Sequence, residues 1–166
     1  MAALLEGTEI KVGIAQWWVA RGNTRIVTLG LGSCVGIALW EAGTRTGGLA
    51  HIMLPESANF PDRNNPGKFA DTAIPLTFQE MVKTGARAGA IVAKIAGGAQ
   101  MFNFTGKNGM LNIGQRNVEA TKQALERLKI KLLAEHTGGN LGRTMILDVA
   151  TGQVTIRTLG HPLIYL

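Results

Sequence analysis

One cysteine in 166 residues leaves no partner for an internal disulfide, so burial and hydrogen bonding must hold the fold. Long apolar runs are missing as well. No segment reaches the roughly 18 consecutive apolar residues that span a bilayer, which excludes direct membrane insertion by a helix. The opening Met1-Ala2-Ala3-Leu4-Leu5-Glu6 lacks the basic start and long apolar stretch of a secretory signal, so a soluble cytoplasmic protein is expected. Three isolated histidines and a single cysteine show no ligand spacing of the kind zinc sites use. Neither a metal nor a cofactor is expected.

Charge is sparse, at 17% of residues against 46% hydrophobic, which argues for a packed domain rather than a disordered chain. The length suits one domain over residues 1–166, able to bury a core of ordinary size. The net charge of +6 favours an acidic partner. Yet the basic residues are scattered. The one dense group, Arg127, Lys129 and Lys131, falls at the end of an expected helix, where the helix dipole and solubility account for it. Nucleic acid is therefore not expected, and an acidic protein surface matches the charge equally well.

Twenty-two glycines punctuate short elements. Strands are expected at 10–19 and 25–29 around the Arg21-Gly22-Asn23 turn, then at 35–40 and 49–54, the last ended by Pro55. Two prolines, Pro61 and Pro66, between Glu56 and Lys68 mark an exposed loop. A helix capped by Asp71 runs to Gly85, with Pro75 limiting how early its regular bonding begins. A strand at 90–96 leads into Gly97-Gly98. Asn117 is read as the cap of a second helix over 118–128, whose Val118, Thr121, Leu125 and Leu128 share one face. A strand at 131–135, a turn region at 138–143, and a hairpin of 144–149 with 154–158 complete the body. The tail from Gly160 to Leu166 is apolar and short. Strands outnumber helices without alternating with them, so the expected fold is α+β with mixed β-sheets in layers and helices packed outside.

The chemistry concentrates at Thr28-Leu29-Gly30-Leu31-Gly32-Ser33-Cys34 and at Gly47-Gly48-Leu49-Ala50-His51. A thiol needs a base nearby to become a nucleophile, and a glycine-rich approach leaves backbone N–H groups free to hold an oxyanion. That pairing points to acyl transfer. The plain alternatives are a small buried cysteine, a satisfied core histidine among Leu49, Ile52, Met53 and Leu54, and a Thr28 that is only a β-branched strand residue. Ser33 is a poorer nucleophile than Cys34 because its alkoxide is far harder to generate. The spacing Gly30-x-Gly32-x-x-x-Gly36 partly matches a dinucleotide-binding motif, but the β-rich stretch after it is a poor helix start.

Hairpin geometry leaves the Cys34–His51 pairing open. A turn through Glu41-Ala42-Gly43-Thr44 sets facing residues directly opposite, Cys34 against His51, whereas a turn running to Gly48 moves His51 four residues away, about 13 Å along the strand. His136 and His161 are the competing bases. Gly97-Gly98 and Gly138-Gly139 read as turns, and Arg116 with Asn117 as a helix start. Met101 and Phe102 read as core or as an apolar contact surface beside the site, with Phe102 the candidate partner contact.

Five blocks in order resemble one family. Leu31-Gly32-Ser33-Cys34, Ala50-His51-Ile52-Met53-Leu54-Pro55, 94–102, Ile113-Gly114-Gln115-Arg116-Asn117-Val118 and Gly138-Gly139-Asn140-Leu141-Gly142-Arg143 look like the CheD family, the chemoreceptor glutamine deamidases. The resemblance implies β layers with outer helices, and Cys34 as nucleophile with His51 as its base. In that family a threonine six positions before the nucleophile completes the site, and Thr28 stands there. The resemblance further implies Gly32 and Ser33 as the oxyanion loop, glutamines on the cytoplasmic domains of methyl-accepting chemoreceptors as substrates, and a possible methylesterase reaction. It also implies a CheC-type phosphatase as partner, and the rival reading is a non-enzymatic regulator that binds it.

Overall fold

The computed structural model describes residues 8–101 and 112–166. Its strands are β1 (Glu9–Val12), β2 (Trp17–Arg21), β3 (Arg25–Leu31), β4 (Val35–Glu41), β5 (Thr46–Ile52), β6 (Val92–Gly97), β7 (Lys131–Thr137), β8 (Arg143–Asp148), β9 (Val154–Arg157) and β10 (Ile164–Tyr165). The helices are α1 (Ala70–Lys83) and α2 (Ile113–Arg127). One five-stranded sheet has the order β1-β3-β8-β9-β10 and the other β2-β5-β4-β6-β7. Both are mixed, because β1 pairs with β3 and β6 with β7 in parallel while the remaining pairs run antiparallel. The α+β layering agrees with the sequence reading.

The second sheet is the middle layer, and the sequence of β4 explains why. Val35, Ile37 and Leu39 pack with α1 and α2 in one apolar cluster, while Ala38 on the opposite face joins Ile26, Leu31, Met145 and Leu147 of the first sheet. A strand covered on both faces reads as a continuous apolar run rather than an alternation. Each fully buried Leu or Ile here contributes about 1.5–3 kcal/mol relative to exposure. Residues on the Gly36, Ala38, Leu49 and His51 face therefore look into the seam between the two sheets.

Several elements differ from expectation for identifiable reasons. The stretch 10–19 is two strands in different sheets, broken where Gln16 turns back on Gly13 and Ala15 takes φ 63°. Asp71 lies inside α1, and its carboxylate accepts from the N–H and hydroxyl of Ser57, both at 3.0 Å, rather than capping the helix. Pro75 sits within α1. The second helix begins five residues earlier than expected, so Asn117 is interior and fully buried. The tail docks: β10 pairs with β9, and the Leu166 N–H donates to the Val154 carbonyl at 2.8 Å. Among the described residues no helix is long and apolar enough to cross a membrane.

Candidate active site

The hairpin register lies between the two anticipated values. Glu41 faces Thr46, so Gly36 faces His51 and Cys34, one residue ahead of β4, falls two positions out of line with the histidine. That offset is roughly 7 Å along the strand, a diagonal distance that side chains span. Cys34 is half-buried and packs against the inter-sheet core, the face His51 also occupies. The structure thus brings Cys34 and His51 to one end of one seam.

His51 is fully buried, and its backbone is fixed from the β2 side. Its N–H donates to the Gln16 carbonyl at 3.0 Å and its carbonyl accepts from Ala15 at 2.9 Å. Its backbone groups are spent there, so Gly36 and His51 form the closer, non-hydrogen-bonded type of pair. Gly36 is what lets the other sheet descend at this point. A Cβ there would lie 2.7 Å from Met145 Sδ and 3.5 Å from Thr28 Cγ2.

Thr28 fills that space from β3, and its hydrogen bonds decide the tautomer of His51. The Thr28 hydroxyl donates to the Val12 carbonyl at 2.7 Å, an atom that only accepts. Its single proton is committed, so the 2.6 Å contact with His51 Nδ1 must be a hydrogen bond donated by the ring. Nδ1 carries the proton. Nε2 is then a lone pair, buried and without a protein partner. Just past Thr28 the β3–β8 register shifts and Gly30 takes φ 69°, so the strand is bulged as it leaves the site.

Burial sets the protonation of the pair. Desolvation pushes the His51 pKa down from 6.5 to about 4, so the imidazole is neutral at neutral pH. Desolvation also pushes the Cys34 thiol up, opposed by the residue's own backbone N–H. The resting site is a thiol beside a neutral base rather than an ion pair. The N–H of Cys34 lies beside its own sulfur, where an oxyanion would develop on a Cys34 adduct.

Three successive carbonyls of the Gly32-Ser33-Cys34 loop are held from outside it. Gly32 accepts from Ala99 N–H at 2.8 Å, Cys34 from Gly98 N–H at 2.8 Å, and Ser33 from the Asn117 side-chain amide at 2.9 Å. Gly97, at φ 112°, passes so close that a Cβ would overlap the Cys34 carbonyl oxygen. Its glycine is required by the approach as well as by the turn. The Gly32 N–H is occupied by the Gly30 carbonyl at 3.0 Å, leaving the amides of Ser33 and Cys34 as the better oxyanion donors. The glycine spacing that partly matches a dinucleotide motif leads into β4, a strand, and not into a helix.

The competing histidines are placed elsewhere. His136 Nδ1 accepts from the buried Arg143 guanidinium at 2.9 Å, and the same group binds the carbonyls of His136, Gly138 and Leu141. His161 is exposed in the tail. Met101 is exposed and covers Gly32, whereas Phe102 lies outside the described residues. No three His, Cys, Asp or Glu side chains converge among the described residues. Sequence reading gave Asn117 and Arg143 no site role. The signal for Asn117 was its own helical spacing, since 117, 121, 125 and 128 share the buried stripe.

The sequence profile described as CheD chemotactic sensory transduction matches residues 53–158. A protein of Moorella thermoacetica named probable chemoreceptor glutamine deamidase CheD is 56% identical over 164 residues, 98% of each chain. The chain belongs to the CheD family. Proteins with the same name from Desulforamulus reducens and Clostridium botulinum are each 54% identical, over 93% of both chains and over 92% of this chain and 94% of the relative. The profile begins at Met53, after Thr28, Cys34 and His51, whereas the alignment with the Moorella CheD protein covers nearly the whole chain.

Proposed function

We propose that this protein is a protein-glutamine deamidase acting on chemoreceptors in the cytoplasm, with residues 1–166 as its single domain. The relatives' names support the reaction, and the observation that carries the mechanism is the Thr28–His51 bond with its proton assignment. His51 Nε2 takes the proton of Cys34 Sγ as the sulfur attacks the carboxamide carbon of a glutamine side chain. Amides of Ser33 and Cys34 receive the oxyanion. As the adduct collapses the C–N bond breaks, and imidazolium returns the proton to the departing ammonia. Water, deprotonated by His51, then cleaves the thioester, releasing glutamate and the thiol. Thr28 holds the imidazole in the Nδ1–H tautomer without adding a charge.

A glutamate methyl ester differs only in its leaving group, so receptor methylesterase activity follows the same route with methanol departing. A CheC-type phosphatase is the proposed regulatory partner. The net charge of +6 suits acidic protein surfaces in both roles. Mass spectrometry of a cognate receptor fragment tests the reading. Incubation with the wild type should add about one dalton per modified glutamine, and Cys34→Ala should add none. An unshifted fragment with wild type, or an equal shift with Cys34→Ala, would defeat the proposal.

A further inference from the structure

We infer that Asn117 is a positioning residue that sets the separation of nucleophile and base, and this rests on the deamidase reading above. Its side-chain Nδ2 donates to two carbonyls at 2.9 Å each, Ser33 before Cys34 and Met53 two residues after His51. Both partners only accept, so the NH2 end must face them, and Oδ1 is left buried without a partner. An unsatisfied buried carbonyl oxygen in the middle of a helix is unfavourable. Its presence here is accounted for by the bridge the other end makes.

The bridge joins two backbone segments just where strand pairing stops supporting the site. β4 begins at Val35 and β5 ends at Ile52, so Ser33 lies two residues and Met53 one residue outside the ladder, on its two sides. One rigid amide there fixes the distance between the chain ends that carry Cys34 and His51. It also fixes the Ser33–Cys34 peptide: with the Ser33 carbonyl drawn toward α2, the Cys34 N–H in the same plane points the opposite way, toward the sulfur. Helix α2 is seated for this task by Gly114, whose missing Cβ admits the Gly98 and Ala99 carbonyls.

The test is a double-mutant cycle read by a reaction that needs no substrate. Alkylation of Cys34 by iodoacetamide is followed in the wild type, Asn117→Ala, His51→Ala and the double variant. Asn117→Ala should slow alkylation at least about tenfold when His51 is present and less than about twofold when it is absent, because its effect passes through the Cys34–His51 pair. On a receptor fragment its kcat should fall about 100-fold with KM within threefold. A structural role would lower Tm without this background dependence. Equal slowing in both backgrounds, no slowing, or a change confined to KM overturns the role. If Asn117→Ala does not fold, Asn117→Ser, which reaches at most one of the two carbonyls, enters the same cycle with the same criteria. Should His51→Ala itself leave alkylation unchanged, the proposed mechanism falls and the positioning role with it. A receptor fragment that is never deamidated while the cycle behaves as expected overturns the substrate and leaves Asn117 in place.

Discussion

Acid should destabilise this protein through His51 in a way that can be isolated. The folded imidazole has its pKa depressed from 6.5 to about 4, so between those values the unfolded chain binds a proton that the native state refuses. Stability is therefore intact above the unfolded value and drains away as pH falls toward the folded one. At pH 4.5 the protonation imbalance amounts to about 2.5 kcal/mol, against about 0.2 kcal/mol at pH 7. Other groups also titrate in this window, notably the buried Glu41, whose carboxyl is held low mainly by the Thr44 hydroxyl. The comparison therefore uses His51→Gln, neutral throughout. Urea unfolding of both proteins at the two pH values should show the wild type losing about 2 kcal/mol more than the variant, since contributions shared by the two cancel. Equal losses would mean that His51 is either protonated or solvated in the native state, and the lone pair assigned to Nε2 would go with it.

Two further outcomes follow from the same geometry. Thr28→Val should lower turnover ten- to a thousandfold, one orienting bond being worth about 1.4–4 kcal/mol in the transition state, and it should cost about 1–3 kcal/mol of stability because Val12 loses its buried donor. Unchanged turnover alongside that stability loss would make Thr28 purely structural. For Cys34, whose thiol is pushed above its ordinary value, the alkylation rate should keep climbing through neutral pH into the alkaline range. A flat rate from acid to neutral pH would instead reveal a preformed thiolate–imidazolium pair.

Much of this architecture was readable because local chemistry and burial agree. The run at 35–40 is apolar throughout because both of its faces are covered, and the strand expected at 49–54 is present, although it spans Thr46–Ile52 and ends three residues before Pro55. The hairpin register was not readable, since a four-residue loop at 42–45 is no more strongly signalled than its neighbours in Glu41-Ala42-Gly43-Thr44. Asn117 misled for a related reason. Asparagine favours helix starts, and only the tertiary contact of Gly114 with Gly98 and Ala99 extends the helix backward so that Asn117 becomes interior. The residues of the proposed site could be named from the sequence; the bonds that hold their backbone in place depend on pairings between segments far apart in sequence.

His51 belongs to the middle sheet and Cys34 leads into it, but Thr28 belongs to the outer one. The bond that fixes the histidine tautomer is thus one of a few polar links between the two layers, beside those from Trp40 to Val149, from Lys94 to Gly152 and Leu166, and from Arg143 to His136. Any excursion that loosens the outer sheet, even with the middle sheet and its helices intact, leaves thiol and imidazole side by side while releasing the ring to rotate and change tautomer. Catalytic competence is in this sense a gauge of how firmly the two sheets are docked.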